Sequence, residues 1–548
     1  MDIHSILPMH LFALIVVSIF AYVIGNVIYQ LHFSPLSRFP GPKIAAVTYL
    51  YEFYYDVILK GRYIFKIREL HEKYGPIIRI SPRELHINDP HFYNVLYSHS
   101  NPRDKEYYYL KPFDFPLSSF GTESHQLHRL RRGAMNPFFA RGRVLQQESL
   151  IQGLVKKLCS RIENFGASGG TVPLSLGYTC LTTDLITTFT MDRCYGYLGA
   201  PDWYPNWGQV LRDASEMSVV SRQLTWVLSL LKMLPKSLTM SLNPGLKLFY
   251  TLAERCRERI DEVQYERQRE KKGSEETIGR KKTVFDQIFD SRLSGEEKRP
   301  ARLTQEVRSI IGAGTETTSN CLSVISFHLL RNPEKLRRLR EELREAEPDP
   351  TAEIRLCQLE SLPYLVSRVA HATKTKHQGK ANHVKIPQSS VVLEGLRLSY
   401  GVSTRLQRKS PRSVIEYGNY AIPPGILKQT PVGMSSVIMH HSEEIFPDSY
   451  NFVPERWLDL QERKYLEKYM VSFSSGSRRC LGMNLAKAEI FIAASTIFRR
   501  FDFEMCDTTL DDIQIRHDLF IPRPKNLKTI GVQARLKGKL VASTISEK

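Results

Sequence analysis

Hydrophobic and polar positions divide the chain into three regimes. From Leu11 to Tyr29 the sequence LFALIVVSIFAYVIGNVIY is apolar and uncharged. As a helix this run spans about 28 Å, close to the ~30 Å hydrocarbon core of a bilayer. No polar face interrupts it, so a single-pass membrane anchor is expected in preference to a buried core helix. The residues before it include Asp2 and no Lys or Arg, and no A-x-A follows, which argues against a cleaved signal peptide. Arg38 and Lys43 are the nearest cations and lie after the run, which places the rest of the chain in the cytosol.

Residues 1–33 therefore read as the anchor. Residues 34–45, with Pro35, Pro40, Gly41 and Pro42, read as a stiff hinge. Residues 46–548 read as one large body. Early in it, Pro76–Ile80 and Glu84–Ile87 flank Ser81-Pro82-Arg83, which predicts a hairpin. Apolar residues then recur at spacings of three and four over Leu145–Phe165, Leu252–Lys272, Thr304–Arg331 and Leu485–Phe501, which predicts long helices. Lys271–Lys282 is polar and charged, a surface loop or helix end. The expected fold class is mainly α with small β-sheets.

Composition adds exclusions. The 548 residues are 42% hydrophobic and 24% charged, with 31 Gly and 30 Pro at no fixed period, so a disordered or collagen-like chain is ruled out. Lys and Arg total 76 against 57 Asp and Glu, a net charge of +19 that calls for an acidic partner. The excess is spread along the chain, with no arginine-rich tail and no nucleic-acid module. An anionic membrane surface or an acidic protein is expected, and nucleic acid is not. Eight cysteines without a C-x-x-C pair argue against a disulfide scaffold or zinc ribbon.

One cysteine stands out. Phe473, Gly476, Arg478, Cys480 and Gly482 lie in a loop directly before the helical pattern that begins at Met483. Unpaired N–H groups and the helix dipole at such a position favour a thiolate. Gly476 and Gly482 let backbone approach a flat ligand, and Arg478 offers a fork to a carboxylate. A thiolate in this setting suits axial ligation of haem iron. The spacing F-x-x-G-x-R-x-C-x-G resembles the haem loop of the cytochrome P-450 family.

Three further motifs follow that family's order. Ala313-Gly314-Thr315-Glu316-Thr317-Thr318 sits mid-helix, where glycine and hydroxyl residues weaken the backbone ladder and open a groove. By resemblance Thr317 is the hydroxyl that relays protons to bound oxygen and Glu316 its acidic partner. Glu394 and Arg397 lie on one helix face; by resemblance they meet Arg456 of Pro454-Glu455-Arg456 in a structural trio. His128 and Arg132 stand where the family often has W-x-x-x-R, whose Trp and Arg reach a haem propionate; Arg129 and Arg131 beside them suit a solvated basic face. Arg405 is another candidate propionate partner. Stretches such as FGTESHQLHRLRRGAMNPFF are similar to filamentous-fungal members, notably the trichodiene-oxygenase-like enzymes.

The resemblance implies a cytochrome P-450 fold with an N-terminal transmembrane helix, and a monooxygenase carrying haem b. Electrons would come from NADPH through a cytochrome reductase, and the protein would sit in the endoplasmic reticulum membrane. The substrate would be a small apolar secondary metabolite, a terpenoid by the resemblance. Tyr107, Tyr108, Tyr109, Phe113 and Phe115 stand where the family has a substrate lid. A haem-thiolate isomerase or dehydratase, and a non-catalytic haem protein, are the alternatives; the Glu316-Thr317 pair argues against the first.

One segment departs from the family. Between Leu362-Pro363-Tyr364-Leu365 and Ser389-Ser390-Val391-Val392-Leu393-Glu394, residues 366–388 are polar, lack apolar periodicity and contain no acid. A long surface loop is one reading. We favour a retained intron: Val366-Ser367 fits the 5′ splice pattern GTNAGY, Ala381-Asn382 a branch point GCTAAC, and Gln388 a terminal CAG. Removing these 23 codons from 548 keeps the frame and leaves 525. It also removes Arg368, Lys374, Lys376, Lys380 and Lys385, which lowers the net charge from +19 to +14.

Overall fold

A computed structural model describes residues 3–108, 110, 113, 115–203, 205–242, 245–272, 280–362, 390–411, 413–424 and 429–540. The segment 366–388, Tyr109 and most of the loop expected at Lys271–Lys282 lie outside the described residues. The first helix, α1 (Ile3–Ile28), keeps its apolar side chains outside the body, with Leu11, Phe12 and Phe20 among the most exposed. It closes in a wider turn over Tyr29–Phe33. Arg79, itself buried, donates to the Gln30 carbonyl (2.8 Å), Gln30 Oε1 (2.5 Å) and Pro82 carbonyl (2.9 Å), which ties the end of α1 to the body.

The proline-rich stretch is docked rather than free. Leu36 and Phe39 are buried, and Phe39 stacks on Tyr420 with ring centroids 5.0 Å apart. Gly41 is required there: at φ +152° its missing Cβ would fall 2.4 Å from the Arg79 carbonyl oxygen.

The predicted hairpin forms as β1 (Ile77–Arg79) and β2 (Leu85–Ile87), antiparallel with Ile77 opposite Ile87. They join β3 (Asp104–Lys105), β5 (Arg408–Lys409) and β8 (Val432–Gly433) in a mixed sheet of order β1-β2-β8-β5-β3. A second sheet, β4-β12-β9, pairs Thr171–Pro173, Gln533–Lys539 and Phe501–Cys506. Two hairpins complete the β component: β6–β7 (Ile415–Tyr417, Tyr420–Ile422) and β10–β11 (Ile515–Leu519, Ile521–Pro524).

Helices carry the core. In chain order the ones that matter for the site are α2 (His125–Met135), α3 (Glu148–Ala167), α4 (Leu174–Met191), α5 (Pro205–Gln223), α6 (Gly245–Lys271), α7 (Pro300–Arg331), α8 (Pro333–Ala346), α9 (Ser390–Ser399) and α10 (Met483–Arg500). The four helical patterns in the sequence correspond to α3, α6, α7 and α10, each shifted by a few residues at its start.

Proline opens α7 at its first position, where the missing N–H is no loss. Its centre packs on α4. Gly314 lies so close to Ile186 that a Cβ would sit 2.8 Å from Cγ1, and Thr182 Oγ1 donates across the interface to the Thr315 carbonyl (2.9 Å). The threonines of α4 otherwise satisfy their hydroxyls on carbonyls one turn back, as buried threonine in a helix must. The α7 helix runs unbroken through the Gly314–Thr318 segment. At Gly314 the missing side chain admits Ile186 of α4 rather than opening the groove expected there.

Candidate functional site

The cysteine loop is built by its own backbone. The Cys480 N–H donates to the Phe473 carbonyl (2.9 Å), which folds the chain back on itself before α10 begins. Gly476 is at φ +70°, and a Cβ there would fall 2.2 Å from the Tyr97 carbonyl oxygen. The missing side chain thus lets the loop pack directly on Tyr97. Gly482, in contrast, faces open space.

Cys480 is exposed, yet burial is the largest influence on its thiol and pushes the pKa up. The Gly482 N–H, Arg132 and Arg479 pull the other way without prevailing. The helix terminus therefore does not make a thiolate by itself; a bound metal cation would.

The α7 helix carries the other candidate residues. Ala313 is exposed although it lies mid-helix, while Thr315 and Thr318 are buried. Ala313 and the half-buried Thr317 share one face, and Thr317 Oγ1 donates to the Ala313 carbonyl (2.8 Å), which leaves its oxygen lone pairs to accept. Glu316 diverges from it. Its carboxylate is ion-paired with Arg523 of β11, which also donates to Ser215 Oγ (2.7 Å) on α5. The expected acid–hydroxyl pair is thus two neighbours with different partners, and Arg523 was not foreseen.

Around the loop lies a group of cations. Arg478 donates to the carbonyls of Thr122 (2.8 Å) and Glu123, and its Nε is buried without a partner. Lys105 and Arg408 are cross-strand neighbours in the β3–β5 pair, an unfavourable like-charge register on its own. Lys105 Nζ donates to the Phe120 carbonyl (3.1 Å), and Arg408 to the carbonyls of Leu406 and Gln407. His128 is buried with Nδ1 unpartnered; burial, then Arg478, Arg132 and Lys105, push its pKa down to about 2. Burial also lowers Arg132, which feels Cys480. Among the described residues, none of Lys105, Arg132, Arg408 and Arg478 is hydrogen-bonded to a carboxylate. Such a set fits a dianion lying beside Cys480, and a haem with its iron on the thiol and its two propionates on these cations meets that description.

Two arginines are placed otherwise than expected. Arg405 does not reach the site. It is buried in an ion network with Glu52 (2.7 Å) and Glu84 (3.1 Å), whereas Arg408 three residues on lies opposite Lys105. Arg129 is exposed as a basic face would be, but Arg131 is buried and forks onto Glu297 (2.7 and 2.9 Å).

Glu394, Arg397 and Arg456 come together. Glu394 accepts from Arg397 (2.7 and 2.9 Å), Arg456 Nε (3.3 Å), Trp457 Nε1 (2.8 Å) and the Val453 N–H (2.9 Å), with Glu394 and Arg397 fully buried. Burial works against the carboxylate, but Arg397 and Arg456 hold its pKa below the usual range. His440, absent from the sequence reading, extends the trio to the loop. Its Nδ1 faces the Arg397 carbonyl (2.8 Å), and Nε2 accepts from the Val471 N–H (3.0 Å).

On the lid side, Phe113 packs on Phe520 (centroids 4.5 Å apart) and Phe120 (5.9 Å), and Phe120 on Phe520 (6.0 Å). All three rings are half-buried.

The chain is similar to known proteins over nearly its whole length. The family profile described as Cytochrome P-450 matches residues 43–370 and 388–530. A cytochrome P-450 monooxygenase of Ascocoryne sarcoides is 40% identical over 538 residues, 97% of this chain and 99% of its own. A tryptophan 6-hydroxylase of Fusarium equiseti is 38% identical over 498 residues, 90% and 91% of the two chains. An N-acetyltryptophan 6-hydroxylase of Emericella nidulans is 36% identical over 518 residues, 94% and 95%.

Proposed function

Because the chain belongs to the cytochrome P-450 family, and is a monooxygenase of that family, we propose that it oxidises an unactivated C–H bond of a small, largely apolar secondary metabolite. Beside the terpenoid skeleton expected from sequence, an aromatic one is the reading favoured here. The half-buried Phe113–Phe120–Phe520 trio suits a planar ring, and two relatives are named as hydroxylases of tryptophan and N-acetyltryptophan. Electrons come from NADPH through a reductase that docks on the basic body. The apolar α1 anchors the protein in the endoplasmic reticulum membrane, with the body in the cytosol.

The haem supplies the oxygen chemistry, activating O2 with two electrons for insertion into C–H. The chain's residues do the rest. Cys480 would hold the iron, and Arg132, Arg408, Arg478 and Lys105, with His128 neutral among them, would hold the propionates. Thr317 holds a proton-relay hydroxyl on the cleft face of α7, and Glu316 supplies protons from behind it when it leaves Arg523. The aromatic trio excludes water and orients the substrate ring.

The observation that carries this reading is the exposed Cys480 thiol in a loop flanked by Lys105, Arg408 and Arg478, whose hydrogen bonds among the described residues go to carbonyls and not to carboxylates. The purified protein, reduced and exposed to CO, should give the red-shifted Soret band of a thiolate-ligated haem, and Cys480→Ser should lose it. Absence of the band in the wild type overturns the reading. Product formation that needs neither NADPH nor reductase would instead point to an isomerase or dehydratase.

A further inference from the structure

Residues 115–123 cross from the long helix to the cysteine loop, and both sides grip them. On the helix side, Glu306 is fully buried and accepts from the Ser119 N–H (3.0 and 3.1 Å) and the Ser119 hydroxyl (2.6 Å). One residue before it, Gln305 Oε1 accepts from the Leu117 N–H (2.9 Å). Arg302, one turn back on α7, completes the Glu306 carboxylate (2.7 Å). Arg131 of α2 donates to Thr122 Oγ1 (2.9 Å) while its fork is held by Glu297.

On the loop side the segment gives acceptors. The Phe120 carbonyl takes Lys105 Nζ (3.1 Å), and those of Thr122 and Glu123 take Arg478. The turn inside the strap tolerates no side chain at Gly121, where a Cβ would fall 1.9 Å from the Phe115 carbonyl oxygen. The conformation of this strap therefore aims Arg478 and Lys105, two of the cations that would hold the propionates, and that conformation is fixed from α7 and α2.

We propose that Glu306 is a positioning residue that latches residues 115–123 across the edge of the haem site and thereby sets how long the haem is retained. The proposal rests on the haem reading above. Glu306 touches no reacting atom in this scheme. It acts through Ser119, and through the strap on Arg478 and Lys105. A buried carboxylate that accepts several hydrogen bonds is a strong fastener, because each bond is charge-assisted and loss of a donor leaves a buried charge less well solvated.

The test is haem transfer from the full-length holoenzyme to excess apomyoglobin. Ser119→Ala removes the hydroxyl donor but keeps the backbone one, and should release haem about tenfold faster, the fold-change that goes with one hydrogen bond to a charged group. Ser119→Thr, which keeps a hydroxyl, should restore slow release. Glu306→Gln should release faster still; if it fails to accumulate, the Ser119 pair decides alone.

A control for general loosening is Arg340→Gln. It cuts a remote latch in which Arg340 donates to the Phe498 and Phe501 carbonyls and Asp502. Wild-type release from Ser119→Ala overturns the proposal, and so does equally fast release from Arg340→Gln at a matched fall in thermal stability. The CO band of the starting protein separates the two layers. With the band present and haem loss unchanged, only the latch falls. With the band absent, the haem reading falls and takes the latch with it.

Discussion

Glu316 and Arg523 are joined in an ion pair that bridges the middle of the long helix and the last hairpin, 207 residues apart in sequence. The carboxylate next in sequence to Thr317 is therefore held from outside the helix that carries both. Glu316→Ala should lower kcat by about a hundredfold, the lower end of what a positioned proton donor contributes. Arg523→Ala should leave the CO band intact but divert NADPH electrons away from product. The ratio of product formed to NADPH consumed reads this directly. An unchanged ratio in Arg523→Ala would show that the pair has no part in proton delivery.

His128 makes the haem-free protein sensitive to acid. Burial and the surrounding cations push its pKa down from 6.5 to about 2. The folded site therefore binds fewer protons than the unfolded chain between those values. Its contribution to stability is intact above 6.5 and is lost as pH falls, by up to about 1.4 kcal/mol per unit. His128→Trp removes that titration. Urea unfolding of both haem-free proteins at about pH 7 and about pH 5.5 should show a smaller loss for the variant. Equal losses would mean that His128 is not buried among cations as described.

Arg397 is fully buried, with its guanidinium on Glu394 and on the carbonyls of His440, Ser449 and Asn451. Arg397→Ala should cost about 3–5 kcal/mol, because it strands a buried carboxylate. Little soluble protein should accumulate. His440→Ala removes only the link to the Val471 N–H and should be milder, giving folded protein whose CO band is partly shifted to the thiolate-free position. A Tm and a CO spectrum on each variant check the order.

The stretch 366–388 overlaps closely the interval, 371–387, that the family profile leaves unmatched. Sequencing the transcript should show those codons spliced out. A protein lacking them should load more haem per chain than the 548-residue form. Message that keeps the codons throughout refutes the retained intron.

What the sequence reveals and what it hides follow from distance along the chain. The cysteine loop is legible because its parts fall within ten residues, and the helices because apolar spacing encodes them locally. The hairpin at Ile77–Ile87 is local in the same way. Arg405 and Arg408 are equivalent to a reader of the sequence. Only the register of β5 against β3, which sets Arg408 opposite Lys105, and the acids Glu52 and Glu84 that capture Arg405, distinguish them. Gly476 illustrates a different limit. A glycine in a ligand loop invites a ligand explanation, whereas the atom it must avoid belongs to Tyr97. Arg523, His440 and Glu306 act through partners far away in the chain, and no spacing rule points to them.

The clasp of Arg79 on Gln30 has a mechanical meaning. A catalytic body hung from a loose tether would bob and turn like a buoy, presenting every side of itself to the bilayer in turn. Here the guanidinium grips the backbone and the side chain of the turn that ends α1, and Phe39 is seated in the body two turns of chain later. The first helix and the body are thereby coupled, so that a tilt of one is carried into the other at Gln30.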